Sequence, residues 1–249
     1  MRMAREASRT AEAERTGPDL QIDVSAIRHP RAVPPSRLRF PDPRTAPRDG
    51  FLGHGGDLAP GTILEAYASG VFPWPHQDVD ELWFCPDPRA VIPIGELHVS
   101  RRLARTMRRA RFAISIDRAF SDVLTACAVR AEGTWITPGY RRAYLELHQA
   151  GWAHSFEVWH EGKLAGGLYG IALGTLFGAE SMFHTVTDAS KVAMVAMMQY
   201  LERRGFTLAD VQMLTPHLAR MGAVEISRLQ YLEQVDAAVG APQAFAGEP

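Results

Sequence analysis

The chain has little cysteine and no long apolar run, and each scarcity excludes a class of protein. Its two cysteines, Cys85 and Cys127, stand in unrelated contexts without a CxxC pair, which argues against a disulfide framework or a zinc site and predicts two buried thiols. No apolar run approaches the roughly 20 residues that span a bilayer. The arginine-containing N-terminus also lacks the apolar centre of a secretion signal. We therefore expect a cytoplasmic protein with no membrane, metal or other cofactor.

Lysine is also scarce, because only Lys163 and Lys191 accompany 25 arginines, and the formal net charge is -1. This balance argues against a protein that coats nucleic acid over its whole surface, but it permits one local basic patch. At 249 residues and 46% hydrophobic content, the chain can form one large domain with a small companion.

The stretch from Ser155 to Phe183 is the most informative part of the chain. Ser155 to His160 alternates apolar and polar residues, a turn follows, and Leu164 to Leu173 and Thr175 to Phe183 resume the pattern, which predicts a three-stranded meander. Its many glycines weaken strands and indicate that a ligand or another backbone comes close. They stand at positions 166, 167, 170, 174 and 178. Glu180 is the one acid among them, and a buried carboxylate is costly unless it is paired or used. The alternative is an edge strand with Glu180 facing water.

The remaining sequence predicts that the chain has four parts. They are a disordered extension without a core (1–37), a small N-terminal subdomain with a helix from about Pro60 to Ser69 (38–95), a larger domain of strands and helices (96–235) and a flexible tail (236–249). Thr137 is predicted to cap a helix, Ser227 and Gln230 form a capping box, and Asp117 is predicted to cap a helix reaching about Ala131. Asp188 or Thr187 is expected to cap the helix after the meander.

One predicted helix concentrates positive charge. Ser100 is a suitable N-cap for the segment SRRLARTMRRARF, in which Leu103, Met107 and Ala110 share one face. The opposite face carries Arg101, Arg102, Arg105, Arg108 and Arg109. Solvated helices normally mix charges of both signs, whereas this helix has no acid. A phosphate-binding face is therefore favoured over an ordinary surface helix, since guanidinium groups pair with phosphate oxygens.

Two further patterns are open to more than one interpretation. Trp74 lies between Pro73 and Pro75 in a stiffened loop, which suits either stacking on a ligand or packing in the core. Asp210 and Gln212 stand two residues apart on a predicted strand, Leu208 to Met213, and would share one face of the sheet. They form either a functional pair or a structural polar pair.

Several motifs occur together in one order. GTLFGAESMF, FPW, WFCPDPRAV, EGTWIT, WAHSFEVW and DVQ resemble the leucyl/phenylalanyl-tRNA-protein transferases from about Leu38 to about Val235. The resemblance implies an α+β fold, with a mixed sheet in a domain like the GCN5-related acetyltransferases and a small N-terminal subdomain. It also implies an aminoacyltransferase that moves leucine or phenylalanine, and possibly methionine, from aminoacyl-tRNA to an N-terminal arginine or lysine in the N-degron pathway.

The same resemblance assigns roles to single residues. Trp74 and Trp135 match the tryptophans around the terminal adenosine, which fits the stacking of aromatics on single-stranded ends. Glu180 matches the acid at the reacting end. Asp210 and Gln212 match the pair that orients and deprotonates the incoming amine, with Asp210 acting as a base or as a docking group for the acceptor. The pocket for the transferred side chain comprises Leu168, Phe177, Met182, Met194 and Met197, where the family commonly has methionine in place of Leu168.

Two other functions compete with aminoacyl transfer. A tRNA-binding module would use the arginine face without catalysis, and a small-molecule N-acyltransferase would use coenzyme A thioesters. The glycine-rich signal of the acetyl-coenzyme A pyrophosphate loop is missing from the sequence, which favours aminoacyl-tRNA as the donor. We expect a monomer whose partners are leucyl- or phenylalanyl-tRNA and acceptor proteins.

Overall fold

A computed structural model describes residues 17–74, 81–109, 112–129, 134–242 and 245–246. The strands are β1 (Ile22–Asp23), β2 (Phe51–His54), β3 (Phe72–Pro73), β4 (Leu82–Phe84), β5 (Arg89–Ile92), β6 (Ala113–Ile116), β7 (Ala153–His160), β8 (Lys163–Leu173), β9 (Leu176–His184), β10 (Leu208–Gln212) and β11 (Val224–Ile226). The α-helices are α1 (Pro60–Ala68), α2 (Arg101–Arg109), α3 (Phe120–Ala128), α4 (Pro138–Gln149), α5 (Ala189–Arg203), α6 (Pro216–Arg220) and α7 (Arg228–Val239).

The predicted meander is confirmed as β7, β8 and β9, which form the centre of an eight-stranded mixed sheet. Its strand order is β1-β6-β7-β8-β9-β10-β5-β11. Strands β1 and β6 pair in parallel, as do β9 and β10, and the other neighbours are antiparallel. The expected mixed α+β architecture is therefore present.

A second sheet, with the order β2-β4-β3, forms with α1 a small N-terminal unit. The predicted boundary of this unit at residue 95 lies too far along the chain. Strand β5 pairs with both β10 and β11 of the large sheet, and all four of its residues are buried. Strand β5 therefore belongs to the larger domain.

The large sheet separates two hydrophobic clusters. Helices α2 and α5 pack on one face, where Leu168 of β8 points. Helices α1, α3, α4 and α7 pack on the other face, where the neighbouring Tyr169 points. This alternation along β8 is the period of two that the sequence predicted. We call these surfaces the α5 face and the α1 face.

Described segments near both ends of the chain pack against the core more closely than the sequence suggested. Within the extension, β1 pairs with β6, and Leu20, Ile22 and Ile27 pack against the core of the α5 face. The prediction of disorder was wrong for residues 17–37, because it rested on the mostly polar composition of the segment and overlooked these few apolar residues. Residues 1–16 lie outside the described residues. In the tail, α7 continues to Val239 and Phe245 is fully buried.

The predicted helix starts are at the expected residues in four cases, and the one at Asp117 is wrong. Ser100 accepts a hydrogen bond from the backbone N–H of Leu103 at 3.2 Å, Thr137 caps α4, and the Ser227 capping box begins α7. Asp117 does not cap α3, because its left-handed backbone (φ 64°) turns the carboxylate toward His154 and the Ser155 N–H. The expected end of that helix near Ala131 lies outside the described residues.

Asp188 occupies the N-cap position of α5 without capping it. Its backbone is left-handed (φ 67°), and its carboxylate binds the Lys191 ammonium at 2.6 Å and the Thr106 hydroxyl at 3.4 Å. Because Thr106 lies on α2, Asp188 connects the arginine helix to α5. None of the helices in the described ranges is long and apolar enough to cross a membrane.

Candidate active site

The candidate site lies where two parallel strands separate. Strands β9 and β10 pair from Leu176 and Leu208 to Gly178 and Asp210. Continuing that register by two residues sets Gln212 opposite Glu180. Their side chains meet there, with Nε2 of Gln212 donating to Oε1 of Glu180 at 3.3 Å. The gap between the strands is thus bridged by two polar side chains that the sequence had singled out separately.

Two tyrosines from different helices hold the Glu180 carboxylate. The Tyr140 hydroxyl of α4 donates to Oε2 at 2.6 Å, and the Tyr67 hydroxyl of α1 donates to Oε1. Gly178 makes room for this arrangement, because a Cβ at that position would lie 2.6 Å from Cε1 of Tyr67. The expected close approach at this glycine is a neighbouring tyrosine ring. Neither tyrosine was singled out from the sequence.

The electrostatic environment keeps Glu180 close to its titration point. Burial raises its pKa to about 7, while the hydrogen bonds from Tyr140 and Tyr67 lower the pKa and the negative charge of Asp210 raises it. Burial, followed by the charge of Glu180, also raises the pKa of both tyrosines well above 10. The tyrosines therefore remain donors, and Glu180 exchanges its proton near neutral pH, as a general base or an ammonium acceptor requires.

A small cavity of about 100 Å³ brings four of the predicted residues together. It is lined by Phe72, Pro73, Trp74, Trp135, Glu180, Gln212 and Met213. Both tryptophans are half-buried. The Trp74 ring meets Phe84 edge-on at 5.8 Å, and the Trp135 ring meets Tyr140 edge-on at 5.0 Å. Each tryptophan thus packs on the protein through one edge while lining the cavity beside the carboxylate.

Asp210 lies beneath this cavity in a closed polar cluster. Its side chain and that of Arg89 are each 0% exposed. The guanidinium donates through Nε to Oδ1 at 2.9 Å and through Nη2 to Oδ2 at 2.6 Å. The Tyr231 hydroxyl adds a third hydrogen bond at 2.9 Å, and the Gln212 backbone N–H a fourth at 2.8 Å. We call Arg89, Asp210 and Tyr231 the Arg89 cluster.

Arg89 was missed from the sequence although it lies in the quoted motif WFCPDPRAV. Its guanidinium carbon lies over the rings of Phe72 and Tyr231, at 4.6 Å and 4.3 Å from their centroids. An arginine opening a short apolar strand was the available signal, because a buried cation requires a partner. The partner, Asp210, is 121 positions away.

Strand β10 is irregular at Gln212 on the side that pairs with β5. The pairing of β10 with β5 shifts register between Asp210 and Gln212, and Gln212 has a left-handed backbone (φ 62°). The prediction of a shared face from i, i+2 spacing assumed a regular strand, and a bulge intervenes. Such strained positions persist only where their surroundings fix them. Here the hydrogen bond from the Gln212 N–H to Asp210 supplies that constraint.

The five residues predicted for the side-chain pocket form one group on the α5 face. They are Leu168, Phe177, Met182, Met194 and Met197, and all but the half-buried Met182 are buried in the hydrophobic cluster there. Tyr67 and Tyr140 lie in the opposite cluster. The separation of β9 and β10 therefore lies between this apolar group and the tyrosines that hold Glu180.

The arginine face of α2 is present as the pattern predicted. Leu103 and Met107 are buried, whereas the five arginines are exposed. They are Arg101, Arg102, Arg105, Arg108 and Arg109. Ala110 lies outside the described residues. In the described parts of the chain, no three His, Cys, Asp or Glu side chains are grouped to hold a metal. Cys85 and Cys127 are buried thiols, as predicted.

Comparison with known proteins places the chain in a family. Residues 91–236 match the family model described as leucyl/phenylalanyl-tRNA protein transferase, and residues 56–87 match that of its N-terminal domain. A leucyl/phenylalanyl-tRNA--protein transferase of Anaeromyxobacter sp. (strain Fw109-5) is 50% identical over 212 residues, covering 84% of this chain and 90% of the relative. That of Syntrophobacter fumaroxidans is 48% identical over 215 residues, covering 85% and 91%.

A solved structure of a functionally unknown conserved protein from Staphylococcus epidermidis is more distant, with a TM-score of 0.38, 12% identity and 56% of this chain and 57% of that chain covered. That similarity is too low to support an argument about fold family or function. The sequence matches to the curated relatives, by contrast, extend over most of this chain and most of each relative. The family-model match includes the strands that carry Glu180, Asp210 and Gln212. The chain therefore belongs to the leucyl/phenylalanyl-tRNA protein transferase family.

Proposed function

We propose that this protein transfers leucine or phenylalanine, and possibly methionine, from aminoacyl-tRNA to the N-terminal amine of proteins that begin with arginine or lysine. The observation that carries the proposal is the convergence of Trp74, Trp135, Glu180 and Gln212 on one cavity in a member of this family. Addition of such a residue marks the acceptor for the N-degron pathway. The protein acts in the cytoplasm as a monomer, and its larger domain is related to the GCN5-related acetyltransferases.

The two tryptophans would bind the terminal adenosine of the tRNA. A base inserted beside Trp74 or Trp135 gains stacking energy of about 1–3 kcal/mol without reading sequence. Since Glu180 lines the same cavity, the ester on the adjacent ribose would lie close to the carboxylate. The arginine face of α2 would bind phosphates farther along the tRNA, because its guanidinium groups are exposed and unmatched by acids within the helix.

The chemistry requires a neutral amine and a fixed geometry. The acceptor nitrogen attacks the ester carbonyl, a C–N bond forms, the C–O bond to the ribose breaks, and a proton passes to the ribose oxygen. Glu180, with a pKa near 7, would hold the amino group of the aminoacyl moiety or take a proton from the acceptor amine. The Gln212 amide nitrogen donates to Glu180, and its carbonyl oxygen would accept from the acceptor amine.

Asp210 would act through Gln212. Its oxygens already accept hydrogen bonds from Arg89, Tyr231 and the Gln212 N–H, and its side chain is inaccessible to solvent. Neither deprotonation of the acceptor nor docking of the acceptor's basic side chain is favoured by that environment. We therefore assign Asp210 the role of a positioning residue that fixes the strained backbone of Gln212.

The transferred side chain would enter the gap between β9 and β10 toward the apolar group on the α5 face. Leu168, Phe177, Met182, Met194 and Met197 all belong to the hydrophobic cluster on that face. Methionine side chains adapt their shape easily, which suits a pocket that takes both branched and aromatic groups. Adding or removing one methylene in such a pocket changes discrimination by only about 1–3 kcal/mol.

The deciding experiment measures transfer by the purified protein. Leucyl- and phenylalanyl-tRNA are each combined with peptides beginning with arginine, lysine or methionine, and product is identified by mass spectrometry. We expect product from arginine and lysine peptides only. Tight tRNA binding without product would instead support the binding-module alternative, and acylation from coenzyme A thioesters would support the small-molecule alternative.

The phosphate role of α2 has its own test. Arg102→Glu with Arg109→Glu should weaken tRNA binding and flatten its dependence on salt, since each lost phosphate contact lowers the slope of log K against log salt by about 0.7–0.9. Arg203→Glu with Arg204→Glu, at the end of α5 and just after it, reverses the same number of charges and is the control. An unchanged salt slope in the α2 variant would rule out phosphate binding by this face.

A further inference from the structure

Phe245 lies beyond the residues that match the family, which end at position 236, yet its side chain is 0% exposed. Its ring stacks on His154 at 3.7 Å between centroids and packs against Tyr200 at 5.0 Å and Phe206 at 6.1 Å. The Tyr200 hydroxyl donates to the Phe245 carbonyl oxygen at 2.6 Å. A single residue of the tail is thus anchored in the core by both its ring and its backbone.

The same ring supports a residue of the proposed aminoacyl pocket. Phe245 lies nearly parallel to Phe177, with centroids 6.0 Å apart and an angle of 19°. Phe156 meets Phe177 edge-on at 5.9 Å. The Phe177 ring also covers Gly170, where a Cβ would lie 2.6 Å from Cε1 of the ring. Phe177 is therefore confined on three sides, by Gly170, Phe156 and Phe245.

Phe245 also lies between the core and a groove at the protein surface, because its buried ring contacts Phe177 and it lines the groove. This groove, of about 520 Å³, runs between the N-terminal segment and the end of α5, and Phe245 is one of its lining residues. Removing the ring would leave a void beside Phe177 that opens toward the groove. Side chains next to such a void relax only partly into it, so the Phe177 ring would gain freedom to move toward the space that the Phe245 ring had filled.

We propose that Phe245 is a specificity-determining residue that sets the depth of the aminoacyl side-chain pocket through Phe177. This inference rests on the proposed function. With Phe245 in place, the Phe177 ring cannot move toward the position of the Phe245 ring, and the pocket is shallow. Without it, Phe177 retreats and the pocket becomes deeper, which favours the larger phenylalanyl group over the leucyl group. Phe245 acts through Phe177 and does not touch the substrate.

The test compares Phe245→Ala and Phe245→Leu with wild type, using one arginine-initiated peptide and either leucyl- or phenylalanyl-tRNA. We expect the ratio of kcat/KM for leucine to that for phenylalanine to fall about 10-fold in Phe245→Ala, the scale of one methylene or more in an apolar pocket, and less in Phe245→Leu. Phe120→Ala is the control, because Phe120 is an equally buried phenylalanine of the α1-face cluster.

Thermal unfolding and analogue binding complete the design. Both alanine variants should unfold at lower temperature, but only Phe245→Ala should change the ratio. The ratio of dissociation constants for the leucyl and phenylalanyl 3′-amide analogues of adenosine reports the pocket without turnover and should change in the same direction. An unchanged ratio in Phe245→Ala and Phe245→Leu overturns the inference, as does an equal rise of both rates, which would indicate a self-blocking tail. If wild type neither transfers an amino acid nor binds the analogues, the proposed function is refuted instead.

Discussion

Two carboxylates lie on neighbouring strands of the same sheet, and their surroundings differ in one decisive respect. Asp210 faces the guanidinium of Arg89 and is closed to solvent. Glu180 is held by tyrosine hydroxyls and a glutamine amide, which donate hydrogen bonds without a compensating positive charge. The Arg89 cluster therefore fixes a charge, whereas the tyrosine pair leaves a carboxylate with a raised pKa of about 7.

The difference separates positioning from chemistry. A buried acid that binds an arginine through two hydrogen bonds is held in one geometry and can serve as a rigid acceptor. An acid without that partner exchanges protons close to neutral pH, which suits a group that handles an amine. Gln212 connects the two, because its backbone binds Asp210 and its side chain binds Glu180.

The largest expected effect comes from breaking the Arg89 cluster. Arg89→Met leaves Asp210 buried without its cation, which should lower the free energy of unfolding by about 3–5 kcal/mol. Urea denaturation measures this loss. In Arg89→Met with Asp210→Leu the uncompensated charge is gone, so much of the stability should return while transfer stays impaired, because Gln212 has lost its support. Equal stability losses in the single and double variants would contradict a charge-based account.

A second effect concerns the rate of transfer by Glu180→Gln. We expect kcat/KM to fall about 10²- to 10⁴-fold, the range for a lost proton-transfer group, with little loss of stability because no buried charge is left unpaired. The measurement is the initial rate with subsaturating leucyl-tRNA and an arginine-initiated peptide. A rate within threefold of wild type would remove Glu180 from the chemistry.

Glu157 provides a matched control for that substitution. Burial raises its pKa to about 7 as well, but its carboxylate is held by Ser115 and Ser155 and does not line the cavity with Trp74 and Trp135. Glu157→Gln should therefore leave the pH dependence of transfer unchanged. A similar rate loss in both variants would show that the effect of Glu180→Gln is structural.

The pH dependence of the rate sharpens the comparison further. The working form of Glu180 is ionised, so the rate should fall as pH drops through about 7, and protonation of an acceptor amine with a pKa near 8 lowers it again. At low pH, the plot of log rate against pH for wild type should therefore have a slope of about two. Both Glu180 and the acceptor amine must lose a proton before the reaction. Glu180→Gln should show a slope of about one, from the amine alone.

The smallest effect is expected from the tyrosine hydroxyls. Tyr140→Phe removes a donor that lowers the pKa of Glu180, so the midpoint of the pH–rate curve should move upward by about one unit, the equivalent of a hydrogen bond of about 1–1.5 kcal/mol. Tyr67→Phe should act in the same direction. Tyr200→Phe, which loses a hydroxyl on the α5 face, is the control. A downward shift in Tyr140→Phe would refute the proposed donor role.

Local sequence was sufficient for much of the fold. The period of two predicted the β7–β9 meander, and short-range capping rules located Ser100, Thr137 and Ser227 correctly. The arginine face of α2 followed from helical spacing alone. These features depend on residues within a few positions of one another, which is why a linear pattern records them.

The candidate site was only partly predictable for the opposite reason. The sequence with its family resemblance singled out Trp74, Trp135, Glu180 and Gln212, but their shared cavity required the tertiary structure. Arg89 and Asp210 are 121 positions apart, and Tyr67 and Glu180 are 113 apart, so no local pattern connects them.

The sequence by itself determined the meander, the helix starts, the cationic helix and the residue types at the site. Only the tertiary structure decided that Asp210 is neutralised by Arg89, that two tyrosines hold Glu180, and that Phe245 supports Phe177. The physical reason is that hydrogen bonding and periodicity act locally along the chain, whereas the pKa of a buried carboxylate and the packing of a core ring depend on side chains that folding brings from distant positions.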